Sequence, residues 1–400
     1  MSSIAVIAPD LDRNAFYTAW QFAGALRKRH ATTIVGPGTA ETLWPPARAL
    51  ASQIRFLPDR RSSRAQIRRT LLNEVKACDL LYAFGATPYA LGLALWVRRE
   101  IGTPVAVHLD DWEGGYFSDR SILRRAWYVL RAPLNSSNEA LQRYWEARTA
   151  AADLLTVSSR PLQTRFGGHV VRQGVDTDRW SPANYQRSEA RLRLRIERTE
   201  KIVLFLGSPM RHKGIEDLVA SFRARRTPDT QLWIVGQGHD DVFQRELEAL
   251  VSEGIVFRPS VPMEEAGWFI AASDVFVVPQ RPTPYAIHQT PAKLLHAMAH
   301  GARIVGCDVG DIPEMLAGGN AEDSGSAGIV VPPSDGDALW GGVERMLRDT
   351  ALHERVGRNA RERAVQHYGW EAMSRQLDDM LHQFTRPDRN QRRKRPLAVS

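Results

Sequence analysis

The chain has 400 residues, of which 43% are hydrophobic and 24% charged, and its formal net charge is +8. This composition is typical of a soluble globular protein. The length favours two domains, because single hydrophobic cores seldom grow beyond about 250–300 residues. Only two cysteines occur, Cys78 and Cys307, which excludes a disulfide framework or a cysteine-rich metal site.

The same observations predict a cytoplasmic protein. No apolar run approaches the roughly 20 residues needed to cross a bilayer. The start, residues 1–6, lacks the charged region and long apolar region of a secretory signal. The scarcity of cysteine fits a reducing compartment.

The first half of the chain alternates apolar runs with helical patterns, which is typical of a parallel α/β sheet. An amphipathic pattern predicts a helix over residues 15–28. Apolar runs predict strands over residues 4–8, 32–35, 80–84, 105–107, 154–157 and 168–171. The arginine-rich stretch 187–201 has few strand signals, and we place the domain junction there.

The second half repeats this alternation. Apolar runs predict strands over residues 202–206, 231–235, 254–257, 275–278, 302–306 and 328–331. The predicted fold class is α/β, with two Rossmann-like domains facing across an interdomain cleft at the carboxyl ends of their strands. The predicted boundaries are 1–182 and 201–369 for the domains, 183–200 for the linker, 370–385 for a helix that could pack back across the hinge, and 386–400 for a tail.

The tail concentrates the net charge. Residues 386–395 hold six cations and one anion, and so carry five of the eight net positive charges. Because the tail has no apolar periodicity, we expect it to be disordered. A solubilising end is the favoured interpretation, and a weak contact with an anionic membrane surface or with nucleic acid is the alternative.

A glycine turn with two cations follows the first strand of the second half. Gly207 and Ser208 break the apolar run, Arg211 and Lys213 follow, and Gly214 opens a helical pattern. Backbone N–H groups and the positive end of a helix suit a phosphate, and Arg and Lys neutralise it. The alternative is an ordinary strand-to-helix turn with solvated charges.

The predicted strand 105–107 is followed at once by His108, Asp110, Asp111 and Trp112. Polar residues at the carboxyl end of a parallel strand face a cleft, where they could bind ligand hydroxyls or act as a base. His108 is the preferred polar contact. Aromatic faces suit a sugar ring, and the candidates are Trp112, Tyr116, Phe16, Tyr17 and Trp20. A charged loop that only closes a strand is equally compatible with this pattern.

Several phrases together resemble retaining glycosyltransferases of the GT-B fold, of the group 1 (family 4-like) type. Residues 173–182 resemble the family's "NGVD-x-x-x-F-x-P" exit from the first domain, and residues 207–214 its "G-x(5)-K-G" phosphate loop. Residues 234–238 are similar to its "x-x-G-x-G" strand end, and residues 291–301 to its "P-x-K-x-x-E-x-M-A-x-G" helix. Residues 308–314 and 328–333 match two later landmarks, so the motifs occur in the family's order.

The resemblance implies a nucleotide-sugar donor held mainly by the second domain and an acceptor held mainly by the first. Residues at the matching motif positions are then expected to bind the donor: Gly207, Ser208, Arg211, Lys213, Gly236, Phe257, Arg258, His288, Lys293 and His296. His108, Arg211 and Lys213 are expected to assist catalysis, and Asp110, Asp111, Trp112 and Phe16 to contact the acceptor. No bound metal or other cofactor is expected, because Arg211 and Lys213 can neutralise a departing diphosphate.

The sequence departs from the family at informative positions. The family's two glutamates, eight positions apart, are replaced by His288 and His296, and its Arg after the first glycine by Ser208. A neutral imidazole can accept one hydrogen bond, so His296 could still bind a ribose hydroxyl. Donor affinity should then fall as the pH drops through about 6.5. The family's twin glycine near the start is absent from residues 12–16.

The predicted function is transfer of a sugar, hexosyl or similar, from a nucleoside diphosphate to a small-molecule, glycan or lipid acceptor, with retention and without metal. The alternative is a catalytically weakened relative that binds a sugar nucleotide or a glycan as a module, which the two histidines motivate. Nucleic acid is not an expected partner.

Overall fold

The computed structural model describes residues 1–12, 15–118, 139–238 and 241–385. The chain forms two compact units. The first contains Met1–Ser158, Leu162–Gln173 and Met373–Ser400, and the second contains Ser159–Pro161 and Gly174–Ala372. In the described ranges, no helix combines the length and the apolar character that a membrane crossing requires. The predicted tail 386–400 lies outside the described residues.

The first unit is built on a seven-stranded parallel sheet in the order β3-β2-β1-β4-β5-β6-β7. Its strands are β1 (Ser3–Ile7), β2 (Ala31–Pro37), β3 (Ile54–Leu57), β4 (Leu80–Phe84), β5 (Val105–Leu109), β6 (Leu154–Val157) and β7 (His169–Val170). Every residue of β4 and β5 is buried. Both faces of the central sheet are therefore covered, as parallel sheets require.

Helices cover this sheet. They are Ala15–Leu26, Arg64–Val75, Leu91–Ile101, Glu113–Ser118, Glu139–Ala147, Arg160–Phe166 and the terminal helix Trp370–Thr385. The hydroxyl of Ser63 accepts a hydrogen bond from the Gln66 N–H and so caps Arg64–Val75. Alternate residues of β1, β4 and β5 pack with that helix and with Leu91–Ile101 in one apolar core.

The terminal helix contributes to the first unit from Met373 onward. The guanidinium of Arg29 donates to the Ser374 hydroxyl at 3.0 Å, and His30 Nε2 lies 3.2 Å from Asp378 Oδ1. The Gln376 amide donates to the Val170 carbonyl at 2.7 Å. These contacts link the helix to the end of the first helix and to β7.

The second unit has a six-stranded parallel sheet in the order β10-β9-β8-β11-β12-β13. Its strands are β8 (Lys201–Leu206), β9 (Thr230–Val235), β10 (Ile255–Arg258), β11 (Val275–Val278), β12 (Ile304–Cys307) and β13 (Ile329–Val331). Its helices are Arg187–Arg193, Ile215–Arg225, Asp241–Glu248, Met263–Ala272, Pro284–Ile287, Ala292–His300, Ile312–Met315, Gly336–Arg348 and Thr350–Arg363, followed by a π-helical turn at Ala364–Tyr368.

The predicted α/β class and the predicted strands are confirmed, with one omission. The sequence analysis missed β3, whose four residues Ile54–Leu57 pair in parallel with β2. Arg55 interrupts its apolar run and is exposed, as expected at a sheet edge. A pattern this short gives too little periodicity to separate a strand from a loop.

The division of the chain differs from the predicted boundary at residue 182. Residues 174–182 cluster with the second unit. The Val175 N–H donates to the Tyr368 carbonyl at 2.8 Å, and the ring of Trp180 stacks on His296 with centroids 4.2 Å apart. These long-range contacts decide the membership of the segment, and local composition does not report them.

Gly214 occupies the tightest turn of the second unit. It precedes the helix Ile215–Arg225 with φ +65, and a Cβ there would lie 1.8 Å from the Pro279 carbonyl oxygen. The positive φ strains any L side chain, and the backbone carbonyl leaves no room for a methyl group. The turn after β8 therefore approaches the end of β11 through a position that only glycine fits.

Gly214→Ala should lower the free energy of unfolding by more than about 1 kcal/mol, since a strained backbone alone costs about 1–3 kcal/mol. Gly341→Ala is the matched control, because Gly341 lies in the helix Gly336–Arg348 with open space around it. That change should raise stability by about 0.5–1 kcal/mol through helix propensity. Urea unfolding followed by fluorescence measures both, and equal effects would contradict the packing argument.

Candidate functional site

Two glycine turns meet at the carboxyl ends of β8 and β9. Gly207 follows β8 with φ +126, and Gly236 follows β9 with φ +144. A Cβ on Gly236 would lie 2.2 Å from the Gly207 carbonyl oxygen. The two backbones are thus in direct contact, at the edge of a parallel sheet where ligands commonly bind.

Two lysines lie next to these turns. Lys213 Nζ donates to the side-chain oxygen of Gln289 at 2.8 Å. Lys293 comes from the helix Ala292–His300, and its Cε lies 3.3 Å from where a Cβ on Gly207 would be. Its Nζ stands 3.7 Å from the centroid of the Phe205 ring. Burial and, second, the charge of Lys213 lower the pKa of Lys293 well below its usual value.

His212 belongs to the same cluster, although the sequence analysis passed over it. Its ring meets Tyr285 edge-on with centroids 5.2 Å apart. Burial, followed by the charges of Lys213 and Lys293, lowers the pKa of His212 to about 3, and a hydrogen bond with Gln289 opposes that shift. Gln289 therefore connects the imidazole with Lys213. In the sequence, the only signal for His212 was its position between Arg211 and Lys213.

Arg211 differs from the two lysines. Its guanidinium donates to Glu246 Oε2 at 2.6 Å and lies 3.5 Å from Glu216 Oε1. The same group lies over the ring of Phe243, 4.6 Å from its centroid. Because two carboxylates already neutralise Arg211, its charge is less available to a phosphate than that of Lys213.

The predicted histidine pair lies on separate elements. His288 follows the short helix Pro284–Ile287, and its Nδ1 donates to the Pro284 carbonyl at 2.6 Å. That bond leaves Nε2 as the possible acceptor in the neutral ring. His296 lies in Ala292–His300 and stacks on Trp180 with an interplanar angle of 10°. Burial and then the charge of Arg179 lower the pKa of His296 to about 3, below the ordinary imidazole value near 6.5 that the sequence analysis used.

The remaining predicted donor residues lie at the same edge of the second sheet. Ser208 is partly exposed directly after Gly207. Phe257 and Arg258 end β10, next to β9 in the sheet. The guanidinium of Arg258 lies over the ring of Trp233, 4.5 Å from its centroid.

In the first unit, His108 lies inside the core. It belongs to β5 and is fully buried. Its Nδ1 lies 3.0 Å from the Thr156 hydroxyl, which lies 2.6 Å from the Tyr82 hydroxyl. Burial lowers the pKa of His108 to about 3. The expected direct contact between His108 and an acceptor is therefore corrected: its Nε2 lies 4.0 Å from Asp110 Oδ1, beneath that carboxyl.

Asp110 is the accessible carboxyl of this cluster, with 29% of its side chain exposed. Thr18 Oγ1 donates to its Oδ2 at 2.6 Å, and Gln173 Nε2 donates to its Oδ1 at 3.4 Å. Burial and then the charge of Asp111 raise the pKa of Asp110 to about 7, against those two hydrogen bonds. Thr18 and Gln173 were not predicted, because they are distant in sequence and only the fold brings them here.

The predicted aromatic platform is only partly supported. Phe16 is fully buried, so the expected contact with an acceptor is corrected. Tyr17 and Trp20 are buried as well. Trp112 is partly exposed, with the Arg165 guanidinium 3.6 Å from its ring centroid. The side chain of Tyr116 lies outside the described residues.

No group of three or more His, Cys, Asp or Glu side chains suited to a metal ion occurs in residues 1–12, 15–118, 139–238 and 241–385. Asp110 and Asp111 form no such group there.

Residues 200–349 match the family of group 1 glycosyl transferases. The chain is 30% identical over 244 residues to a GDP-mannose-dependent alpha-(1-6)-phosphatidylinositol monomannoside mannosyltransferase of Mycolicibacterium smegmatis, covering 58% of this chain and 62% of that relative. It is 27% identical over 226 residues to an alpha-maltose-1-phosphate synthase of Mycobacterium tuberculosis, covering 53% of this chain and 56% of that relative.

The solved structure of HepE from Anabaena, in complex with UDP and glucose, has the same fold. Its TM-score is 0.70 at 17% identity, and the match covers 96% of this chain and 99% of that chain. The resemblance to group 1 glycosyltransferases of the GT-B fold is thus confirmed, with residues 200–349 as its matched domain. The chain spans 62% and 56% of the length of the two curated relatives.

The low pKa of His296 predicts a pH effect on stability. The unfolded chain takes up a proton below about pH 6.5, whereas the folded ring stays neutral down to about 3. The unfolded state then binds more protons, so the free energy of unfolding should fall as the pH drops from 6.5 toward 3. His296→Gln, referenced to its own value at pH 7.5, should show a shallower fall in urea unfolding. An NMR signal of the His296 imidazole, identified by its absence from His296→Gln, would contradict this if it titrates near 6.5.

The raised pKa of Asp110 predicts the opposite trend. Between the usual carboxyl value and about 7 the folded state holds the extra proton, so this group costs stability as the pH rises through that window. Asp110→Asn should therefore be more stable than the wild type at pH 8 and lose that advantage at pH 5. Asp337→Asn, at a carboxylate that is 94% exposed, controls for the substitution. Urea unfolding at both pH values provides the measurement.

Proposed function

We propose that this protein is a glycosyltransferase that takes a sugar from a nucleoside-diphosphate donor. The observation that carries the proposal is the pair Lys213 and Lys293 beside the glycine turns at the end of β8. An anion at that edge would meet two ammonium groups as well as turn N–H groups.

The lysines give the site a chemical role in bond cleavage. When the bond between the sugar and the donor phosphate breaks, negative charge grows on the diphosphate. Fixed cations beside that charge stabilise it more in the transition state than in the ground state. We therefore propose that Lys213 and Lys293 assist leaving-group departure, and that no metal ion is required.

Next to the diphosphate, His296 and His288 are proposed to bind hydroxyls of the donor. Neutral imidazoles accept one hydrogen bond each, and the low pKa of His296 keeps that ring uncharged at ordinary pH. For the acceptor we propose Asp110 in the first unit. Its carboxyl can accept a hydrogen bond from a sugar hydroxyl, with Thr18 and Gln173 fixing its orientation.

Retention of configuration is proposed on the resemblance to the family. The acceptor would attack the face from which the diphosphate leaves, and a phosphate oxygen would take the acceptor's proton. The proposed acceptor is a small molecule, a glycan or a lipid; the Mycolicibacterium relative is named for a phosphatidylinositol mannoside.

A second candidate function is a binding module without turnover. The observation that favours it is the presence of His288 and His296 where the family has glutamates. A carboxylate accepts several hydrogen bonds, so the exchange weakens the hold on hydroxyls. The module would still bind a nucleotide sugar, so only a measurement of turnover separates the two functions.

Thermal unfolding against UDP-, GDP-, ADP- and dTDP-sugars tests the proposal. A matching donor raises the apparent stability by RT ln(1 + [L]/Kd). Release of nucleoside diphosphate by hydrolysis or transfer, measured in EDTA, then distinguishes an enzyme from a module. Binding without release favours the module, and loss of activity in EDTA that Mg²⁺ restores contradicts metal independence. No stabilisation by any donor contradicts both functions.

Lys213→Ala should weaken nucleoside-diphosphate binding by roughly tenfold to a hundredfold, because a charge-assisted hydrogen bond is worth about 1.5–3 kcal/mol. Arg211→Ala should have a smaller effect, since its charge is neutralised by Glu246 and Glu216. Lys201→Ala is the matched control, because Lys201 opens β8 and pairs with Asp229 at 2.8 Å. Calorimetric titration gives the three affinities, and an unchanged Lys213→Ala would move the donor site elsewhere.

A further inference from the structure

Lys293 has unusual surroundings for a lysine. Its ammonium nitrogen stands 3.7 Å from the centroid of the Phe205 ring, and its stem passes Gly207. A cation over an aromatic face is weakly stabilised, by about 0.5–2 kcal/mol. That contact does not replace the water that an exposed ammonium group would keep.

The groups that face Lys293 are cationic or neutral. Gly207 comes from the turn after β8 and Phe205 from β8 itself, and Lys213 in the same turn is near enough for its charge to act on Lys293. His212 is near enough that both lysines lower its pKa, and Gln289 offers a neutral amide to Lys213. Within the described residues, burial and the charge of Lys213 act on the pKa of Lys293, and both lower it.

Two amines in one partly buried site repel each other when both are charged. Losing one proton relieves that repulsion, and burial favours the same change. A diphosphate placed between them reverses the balance, because its negative charge stabilises both ammonium groups. Without an anion, the site thus favours the loss of one proton from the two amines. With a bound anion, it favours protonation of both.

We propose that Lys293 takes up a proton from solution when the diphosphate of a nucleotide donor binds, so that donor affinity is linked to pH through this amine. The inference rests on the proposed function and adds the proton to the binding step. The direction in which donor affinity changes with pH follows from proton linkage. Affinity should fall as the pH rises through the window between the unbound and bound pKa of Lys293, by at most about tenfold per pH unit.

Calorimetry of UDP and GDP binding at pH 8, in buffers with different ionisation enthalpies, tests the proposal. The slope of the binding enthalpy against buffer enthalpy is the number of protons taken up. The second phosphate pKa is about 6, so the nucleotide is already ionised and any uptake belongs to the protein. We expect a positive slope, together with affinity that decreases from pH 7 to pH 9.

Three variants identify the group. Lys293→Gln should abolish the uptake and weaken binding. Lys293→Arg should retain binding but lose the uptake, because guanidinium stays protonated throughout this range. Lys201→Gln makes the same exchange at the opposite end of β8, where Lys201 pairs with Asp229, and should keep the wild-type uptake.

The wild type alone gives a second readout. Trace acetylation modifies only neutral amines, so Lys293 should react faster than Lys201 at pH 8 and be protected by GDP or UDP, as followed by peptide mass. Binding with zero proton uptake in the wild type would overturn the inference and leave the proposed function intact. Uptake that persists in Lys293→Arg would also overturn it. Absence of any nucleoside-diphosphate binding would overturn the proposed function as well.

Discussion

Backbone contact between strand-end turns is the constraint on which the candidate site depends. Gly207 and Gly236 touch through main-chain atoms, and Gly214 lies against the Pro279 carbonyl. Side chains at these positions would push the ends of β8, β9 and β11 apart. With the turns in contact, the helix Ala292–His300 brings Lys293 beside Gly207, at the start of the loop that carries Lys213. Because these glycines have no side chains, the turns can touch, and Lys213 and Lys293 lie beside them.

The partners of each cation beside these turns determine how far its charge is available to a ligand. Arg211 is neutralised by Glu246 and Glu216 and supported by Phe243. Lys293 faces an aromatic ring and another lysine. The two cations therefore differ in function: Arg211 closes a local network, whereas Lys293 is placed to carry its charge when an anion binds. A carboxylate partner weakens the attraction of a cation for a phosphate. The lysines are therefore stronger candidates than Arg211 for binding a phosphate.

The first unit uses the opposite electrostatic logic. Asp110 stands at the end of β5 above a line of buried hydroxyl and imidazole groups, from Tyr82 through Thr156 to His108. Those groups are fixed by the core and neutral, so they do not neutralise Asp110, whose carboxyl accepts its hydrogen bonds from Thr18 and Gln173. Asp111 then opposes its ionisation. A carboxyl with a raised pKa, which accepts hydrogen bonds from Thr18 and Gln173, suits contact with hydroxyls.

The sequence by itself determined the α/β class, the strand order along the chain and the resemblance to group 1 glycosyltransferases, because apolar runs, glycine turns and motif spacing are local properties of the chain. It also located Lys213 and the glycine turns. It could not show that Phe16 and His108 are buried, that Arg211 is already paired, or that His212, Thr18 and Gln173 join the two polar clusters. Those facts depend on contacts between residues distant in sequence. Tertiary packing fixes burial and charge partners, and these in turn set pKa values, so only the folded structure distinguished the available charges from the neutralised ones.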